Sequence, residues 1–189
     1  MHSWFLAIPL PPKLKKRLAE EADRLRLAGA AVVWGKPDHF HVSLRVLGEM
    51  PDEAQLQLLP LIEESLVQTG PLRLVVRGIH AFPDGEKPRI ILMPVTGAED
   101  SDEEGLLLIQ SQLNEGLSEQ GFRRHKHAPH PHVPLGRLRG QENFADLLER
   151  MGPARNREFG HFEATSVGLF ESGDHRAGPE FHLLRSFAL

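Results

Sequence analysis

The 189-residue chain contains no cysteine. Disulfide scaffolds and thiolate metal sites are therefore excluded, and the composition fits a reducing compartment, so we expect a cytoplasmic protein. No apolar run approaches the roughly 20 residues of a membrane-spanning helix, and the first residues lack the basic segment of a signal peptide. With 40% hydrophobic and 25% charged residues, the composition is typical of one globular domain or of two small fused lobes.

The chain also lacks an excess of positive charge. Its 22 Lys and Arg residues against 26 Asp and Glu residues give a net charge of −4, which excludes the broad electrostatic attraction that long duplexes require. The charge is uneven, however, because a basic group surrounds residue 130. A local site for one or two phosphates therefore remains open. The basic residues of this group are Arg123, Arg124, Lys126, Arg137 and Arg139.

Two histidine segments are the most informative stretches present. In Asp38-His39-Phe40-His41-Val42-Ser43-Leu44-Arg45-Val46-Leu47-Gly48, apolar and polar residues alternate. Because a strand directs successive side chains to opposite faces, one face is predicted to be apolar and the other to carry imidazoles, a hydroxyl and a guanidinium. His130-Pro131-His132-Val133-Pro134-Leu135 repeats the His-hydrophobe-x-Leu unit. The two units predict that His41 and His132 face each other across a cleft.

The order strand–helix–histidine strand occurs twice, which indicates an internal duplication. Helical stripes at Leu14–Leu25 and Leu106–Leu117 follow short apolar strands, Ser101 and Glu104 form an expected capping box, and two late strands are predicted near 161–170 and 180–188. We therefore predict an α+β fold in a single domain spanning 1–189. Two similar lobes, each a small antiparallel sheet backed by helices, are expected around a pseudo-two-fold axis with the active cleft between them. One lobe is expected from residues 1–85 plus the C-terminal strands, and the other from 86–160.

Paired imidazoles suit a phosphate reaction. An imidazole has an unperturbed pKa near 6.5, so one ring can remove a proton from the attacking oxygen while the other protonates the departing oxygen. Ser43 and Arg45 lie on the predicted face of His41, where they could contact phosphate oxygens. Such chemistry requires neither metal nor cofactor.

These residues carry a resemblance to a known family. His41-Val42-Ser43-Leu44 and His132-Val133-Pro134-Leu135 resemble the paired His-hydrophobe-Thr/Ser-hydrophobe motifs of the two-histidine (2H) phosphoesterases, with surroundings similar to the LigT-type RNA 2′,3′-cyclic phosphodiesterases of the 2′-5′ RNA ligase family. The stretch Ala81-Phe82-Pro83 followed by Pro88-Arg89-Ile90 resembles a further family segment. The resemblance covers nearly the whole chain.

The resemblance implies hydrolysis of RNA 2′,3′-cyclic phosphate ends to 2′-phosphates, with 2′–5′ RNA ligation as the reverse reaction. It implies His41 as the general acid and His132 as the general base. Arg137 is favoured as a substrate contact by the family pattern but opposed by strand alternation, unless Gly136 forms a bulge. The partners expected are RNA ends or nucleotides with a 2′,3′-cyclic phosphate, without a membrane, metal or cofactor, and the chain is expected to be a monomer.

One position departs from the family pattern. Pro134 stands where the family usually has Thr or Ser, and proline offers neither a hydroxyl nor a backbone N–H. The departure predicts a lopsided phosphate site that depends on Ser43 and nearby arginines. It also leaves open a non-catalytic module that binds RNA ends. A third reading is a zinc-binding protein whose ligands come from the histidine-rich segment at 125–132.

Overall fold

A computed structural model describes residues 2–50, 54–67, 69–84, 87–122, 130–175 and 178–189. The described chain forms ten strands, four α-helices and two short 3-10 turns. The strands are β1 (His2–Pro9), β2 (Val32–Trp34), β3 (His41–Met50), β4 (Leu72–Arg77), β5 (His80–Phe82), β6 (Ile90–Gly97), β7 (His132–Leu138), β8 (Glu158–Ala164), β9 (Ser166–His175) and β10 (Gly178–Ala188). The helices are α1 (Pro12–Arg26), α2 (Ala54–Leu66), α3 (Asp100–Glu119) and α4 (Phe144–Met151).

The strands form one antiparallel sheet in the order β10-β9-β1-β3-β7-β6-β4-β8, with β2 paired to β7 and β5 paired to β6. The order is symmetric about the β3–β7 pair. β1 flanks β3 as β6 flanks β7, and each half continues outward through two further strands. The expected α+β architecture of two similar halves is thus confirmed.

The symmetric halves meet along a short join. Within the described residues, β3 and β7 share one register pair, Ser43 with His132. The two histidine strands therefore lie side by side at the centre of the sheet. The histidines of β3 and β7 therefore lie near the middle of the sheet, where its two halves meet.

Helices α1 and α3 pack on the sheet through the apolar stripes that the sequence predicts. All eight stripe positions are buried, and they join a single hydrophobic core with the inward residues of the strands. Burial of such leucine and isoleucine side chains stabilises each helix against the sheet by roughly 2 kcal/mol per side chain. The stripe residues are Leu14, Leu18, Ala22 and Leu25 in α1, and Leu106, Ile109, Leu113 and Leu117 in α3.

The start of α3 differs from the expected capping box. Helix α3 begins at Asp100 after Glu99, whose backbone is extended and makes no side-chain cap. Instead, the carboxylate of Asp102 accepts the backbone N–H of Arg73 at 2.9 Å, and Glu103 accepts the N–H of Gly97. The acidic first turn is therefore used to join the helix to two strands, which local sequence pattern cannot show.

The sheet also moves the boundary between the two halves. Strands β4 and β5 pair with β6, so residues 72–82 belong to the second half, not to a first lobe extending to residue 85. A third late strand is present, because Thr165 separates β8 from β9 within the single strand expected at 161–170. The C-terminal strands β9 and β10 return to the first half beside β1, as expected.

None of the helices in the described part of the chain is long and apolar enough to cross a membrane.

Candidate active site

His41 lies at the junction between the 3-10 turn Pro37–His39 and β3. Its Nδ1 is 2.6 Å from the carbonyl oxygen of His39. A carbonyl oxygen can only accept, so Nδ1 carries the proton and donates it to this bond. The lone pair of the neutral ring is therefore on Nε2, which lies 3.1 Å from the Ser43 hydroxyl.

His132 has the same arrangement at the start of β7. Its Nδ1 is 2.8 Å from the carbonyl oxygen of His130, so the ring adopts the same tautomer and its lone pair is on Nε2. The side chain is only 7% exposed. Both halves of the protein thus anchor their histidine to the carbonyl two residues upstream and present Nε2 to the site.

The two histidines and Ser43 share one face of the sheet. Ser43 pairs with His132 across the join, and directly opposite residues of antiparallel strands have Cβ atoms about 5 Å apart on the same face. His41 precedes Ser43 by two residues and so projects from that face as well. The structure brings the predicted pair together, while their roles as acid and base remain a prediction.

Arg45 does not lie on this face. The register of β3 against β1 shifts between Ser43 and Arg45, which makes Leu44 an extra, bulged residue. Beyond the bulge the alternation is inverted, so Arg45 pairs with Leu6 on the core side and is 4% exposed. Its Nη1 donates to Asn114 of α3. The expectation that Arg45 projects into the site is wrong, because a bulge breaks the two-residue period on which it rested.

A second bulge has the opposite effect on Arg137. The register of β7 against β6 shifts between Pro134 and Gly136, so Leu135 is the extra residue. Arg137 is thereby turned onto the face that carries His132, with its side chain exposed. The sequence analysis considered a bulge at Gly136, and the observed bulge lies one residue earlier, at Leu135. Strict alternation would have placed Arg137 on the face opposite His132, and the bulge removes this objection.

Pro134 occupies the position in β7 that Ser43 occupies in β3. It lies two residues after His132 on the same face and is half-buried, opposite Leu92 of β6. The strand continues through it, because Pro134 directly precedes the bulge, where a residue without an N–H is tolerated. The site therefore has one strand hydroxyl where its symmetry offers two positions.

Burial controls the protonation of both imidazoles. Desolvation lowers the pKa of His41 to about 4, although its bond to the His39 carbonyl opposes this, and the nearby charges of His132 and Lys15 lower the pKa further. Burial likewise lowers the pKa of His132, against the bond to the His130 carbonyl. Both rings are therefore neutral at pH 7 in the protein without substrate.

Three phenylalanines beside His41 were not predicted from the sequence. The ring of Phe5 lies 4.8 Å from the His41 imidazole, and Phe170 and Phe181 lie 5.3 Å and 4.9 Å from Phe5. They come from β1, β9 and β10, which are the two ends of the chain. No periodicity within the sequence connects residues so far apart, so only the sheet order shows that they meet at the site.

The described residues contain no group of three or more His, Asp or Glu side chains that could hold a metal ion. His132 is used by the site above, and His130 is exposed. Residues 123–129, which include His125 and His127 of the zinc reading and the basic residues Arg123, Arg124 and Lys126, lie outside the described residues.

Comparisons with known proteins agree with this geometry. A family model described as the 2'-5' RNA ligase superfamily matches residues 11–176. A Methanocaldococcus jannaschii protein named RNA 2',3'-cyclic phosphodiesterase is 26% identical over 183 residues, covering 97% of this chain and 98% of the relative. A protein of the same name from Aeropyrum pernix is 27% identical over 168 residues, covering 89% and 92% of the two chains.

Solved structures show the same fold. TT0787 of Thermus thermophilus superposes with a TM-score of 0.77 at 23% identity, covering 99% of this chain and 97% of that one. Escherichia coli LigT complexed with 3'-AMP gives a TM-score of 0.74 at 18% identity, covering 100% and 98%. Since the family model spans most of the chain and both histidine strands lie within it, the protein belongs to the 2'-5' RNA ligase superfamily.

Proposed function

We propose that the protein hydrolyses 2′,3′-cyclic phosphate ends of RNA to 2′-phosphates through paired histidine acid–base chemistry. The observation that carries the proposal is the matched pair His41 and His132, each held through Nδ1 with Nε2 turned to one shared face. Membership of the superfamily and relatives named RNA 2',3'-cyclic phosphodiesterase support it.

In the proposed step, His132 Nε2 removes a proton from water as the water oxygen attacks phosphorus. The bond between phosphorus and the 3′ oxygen breaks, and the departing oxygen takes a proton from Nε2 of protonated His41. One proton is gained and one is given, so the products are a 2′-phosphate, a 3′ hydroxyl and an enzyme restored by proton exchange with solvent. Each imidazole contributes typically 10²–10⁴-fold to such a reaction.

The negative charge of the substrate favours the protonated form of His41, which is scarce at pH 7 in the protein without substrate. His41 must be protonated to act as an acid, yet its pKa is about 4 without substrate. A phosphodiester anion placed against the buried ring favours the imidazolium and raises this pKa. Binding therefore prepares the acid, and the burial that lowers the pKa also strengthens the attraction between imidazolium and phosphate.

Ser43 and Arg137 are the proposed contacts of the phosphate. While the His41 ring is neutral, the Ser43 hydroxyl donates to its Nε2. When that nitrogen is protonated, the hydroxyl becomes available to a phosphate oxygen. Arg137 lies on the same face and can neutralise negative charge that develops on the phosphoryl oxygens. Arg45 is omitted, because it lies on the core side of β3.

Joining of RNA ends through a 2′–5′ linkage is proposed as an accompanying activity. A 5′ hydroxyl then replaces water as the nucleophile and loses its proton to His132, while the departing 3′ oxygen takes a proton from His41, so the two imidazoles keep their roles. A monomer suffices for either reaction, since all four proposed side chains come from one chain. The monomeric state itself stays a prediction.

A non-catalytic module that binds RNA ends is the competing function. Pro134 favours it, because one phosphate donor is absent. The matched tautomers of His41 and His132 argue against it. In each neutral ring Nε2 carries a lone pair and cannot donate a hydrogen bond to an anion, whereas it can take up a proton during catalysis. The zinc-binding alternative depends on the histidine-rich segment 125–132, of which residues 125–129 lie outside the described residues, and its test is the response to chelator.

The deciding experiment is hydrolysis of adenosine 2′,3′-cyclic phosphate in excess chelator, with the 2′ and 3′ products separated. We expect the 2′-phosphate at an undiminished rate, and a loss of about 10²–10⁴-fold in His41→Ala and in His132→Ala. His161→Ala is the control, because His161 lies exposed on β8 in the outer part of the second half. A rate that vanishes with chelator and returns with zinc would overturn the proposal, as would histidine variants that keep the full rate.

A further inference from the structure

The first turn of α1 lies close to His41. Strand β1 ends at Pro9, which pairs with His41 in the register of β1 and β3, and α1 begins only three residues later. Lys15, in this turn, is half-buried, and its Nζ donates a hydrogen bond to the backbone carbonyl oxygen of Asp38 at 2.6 Å. This bond joins α1 to the turn Pro37–His39, from which β3 starts.

The bond made by Lys15 lies one residue from the anchor of His41. Asp38 is followed by His39, whose carbonyl oxygen accepts the hydrogen bond from His41 Nδ1. The turn is closed by a backbone bond from the His39 N–H to the Lys36 oxygen. A displacement of this turn would move the carbonyl that orients the imidazole. Lys15 therefore acts on the site through the turn, without contact with the reacting atoms.

Charged groups act on the His41 ring from three elements. Burial lowers its pKa most, the bond to the His39 carbonyl opposes this, and the charges of His132 on β7, Lys15 on α1 and His39 on the turn lower it further. Strands β1, β9 and β10 contribute uncharged rings, those of Phe5, Phe170 and Phe181. The charges that act on His41 are thus all positive when present, and each disfavours the imidazolium.

Among these three groups, Lys15 is the one that is charged throughout the neutral range. Burial lowers its pKa, against the charge of Asp38, from an ordinary lysine value far above neutrality. Burial also lowers the pKa values of His39 and His132, so these two rings are mostly neutral at pH 7. The charges that act on His39 are of both signs and belong to Lys36, Asp38, Lys15 and Glu180.

The corresponding position in the second half is apolar. Leu14 and Leu106 are the first buried stripe residues of α1 and α3, so Lys15 corresponds to Leu107. The pKa of His132 is lowered by burial. Two histidines with matched backbone anchors thus differ in what the neighbouring helix places beside them.

We propose that Lys15 is a positioning residue of the site, which holds the turn that anchors His41 and sets a fixed positive charge beside His41 and not beside His132; the inference rests on the proposed function. The charge repels the imidazolium, so the ring stays neutral until a phosphate anion arrives. Protonated His41 in the complex is then the stronger acid towards the departing oxygen. Lys15 thereby makes two similarly anchored rings unequal, as distinct acid and base roles require.

The test changes the charge at position 15 in steps and measures the pKa of each histidine by NMR in the protein without substrate. The variants are Lys15→Arg, Lys15→Met and Lys15→Glu, and the imidazole signals are assigned with His41→Gln and His132→Gln. We expect the pKa of His41 to be unchanged in Lys15→Arg, higher by about half a pH unit in Lys15→Met and higher by about one in Lys15→Glu. The pKa of His132 should stay the same throughout.

Activity provides the second measurement. One limb of the kcat/KM profile should move to higher pH in the same order of variants, and the other limb should stay in place. Loss of the bond to the turn should also lower kcat of Lys15→Met several-fold, and Lys15→Arg should retain it. Lys13→Met removes an exposed lysine of the same helical turn and should change neither pKa nor kcat. Urea unfolding shows whether each variant is folded, and Lys15→Gln replaces Lys15→Met if the latter is not.

Three results would each overturn the inference. An unchanged His41 pKa in Lys15→Met would remove the charge, and the native kcat in that variant would remove the positioning role. Equal shifts in Lys15→Met and Lys15→Glu would report loosened packing around the ring, because packing does not follow the sign of the charge. Failure of the proposed function is distinct from these outcomes. Should no cyclic phosphate be hydrolysed, the proposed function falls, while the NMR titration still decides whether the charge of Lys15 acts on His41 alone.

Discussion

At the scale of single residues, the site depends on which nitrogen of each histidine holds its proton. The His39 and His130 carbonyls fix the proton of both rings on Nδ1. Proton exchange with substrate therefore occurs at Nε2 alone. A second residue-level property follows from burial, which lowers both imidazole pKa values before substrate arrives.

These pKa directions predict different pH profiles for kcat/KM and kcat. In the free enzyme one imidazole must be protonated and the other neutral, and the product of those fractions is largest between the two lowered pKa values. The optimum of kcat/KM should therefore lie below the ordinary imidazole value of about 6.5. In the complex the phosphate anion raises both pKa values, so the kcat optimum should lie at higher pH. Steady-state rates from about pH 3.5 to about pH 9 measure both profiles; superimposable profiles would contradict the argument. The expectation holds whichever histidine is the acid.

The pKa of His41 also predicts how stability changes with pH. The pKa is about 4 in the folded protein and near 6.5 in the unfolded chain, so the unfolded state binds more protons between these values. The free energy of unfolding should fall as the pH drops through this window, by up to about 3 kcal/mol from this residue. Urea unfolding at several pH values should show a shallower dependence in His41→Gln than in the control His161→Gln. Equal dependences in both variants would show that His41 is not the titrating group.

Pro134 allows a gain of activity to be predicted. A threonine hydroxyl at this position would face the phosphate as Ser43 does, and a hydrogen bond to a charged group contributes roughly 1.5–3 kcal/mol. Pro134→Thr should therefore raise kcat/KM by about 10- to 160-fold. Ser43→Ala should cost the native protein more than it costs the Pro134→Thr variant, which keeps a second hydroxyl. Steady-state rates of the four proteins form a double-mutant cycle. Equal Ser43→Ala losses would mean that the bulge and Arg137 already replace the missing donor.

At the scale of elements, the two bulges mark the limit of what sequence predicts. Alternation placed His41 and Ser43 on one face correctly, because no bulge separates them. It failed one residue later at Leu44, where the period shifts and Arg45 turns inward. Both helical stripes and the duplication were predictable, since they are local patterns repeated along the chain. The group of phenylalanine rings beside His41 was not, because Phe5 and Phe181 meet only when the C-terminal strands β9 and β10 pair beside β1.

The bulge in β7 depends on close approach to β2. A Cβ added to Gly136 would lie 2.7 Å from Val32 Cγ1, 3.0 Å from the Val33 oxygen and 3.3 Å from Trp34 Cα. Two of these atoms belong to the backbone, so Gly136→Ala must displace β2 or β7. We expect a loss of about 1–3 kcal/mol in the free energy of unfolding, together with a lower kcat/KM as Arg137 moves. Gly140→Ala is the matched control, because its Cβ would meet only Ala31 Cβ at 3.6 Å. Equal free energies of unfolding for the two variants would show that β2 can move away from residue 136 without loss of stability.

At the scale of the whole molecule, a net charge of −4 must be reconciled with a substrate that is an anion. A protein that bound RNA along many phosphates would need cations over a long surface, and its affinity would fall steeply with salt. The proposed site instead places Arg137 and the two imidazoles at a single phosphate. Recognition is then concentrated on the chemistry of the RNA end, and the rest of the RNA contributes little.

This reasoning predicts a weak salt dependence for RNA substrates. For single strands, the logarithm of affinity falls with the logarithm of salt concentration by about 0.7 for each phosphate contacted. With one or two contacts, kcat/KM for an oligonucleotide that ends in a cyclic phosphate should follow a slope of about −1. Arg137→Gln should make this slope shallower by about 0.7. Arg77→Gln, at an exposed residue of β4 that is ion-paired with Glu158, should leave it unchanged.

A slope steeper than about −3 in the unmodified protein would reveal an extended track of phosphate contacts. Recognition would then not be confined to the RNA end.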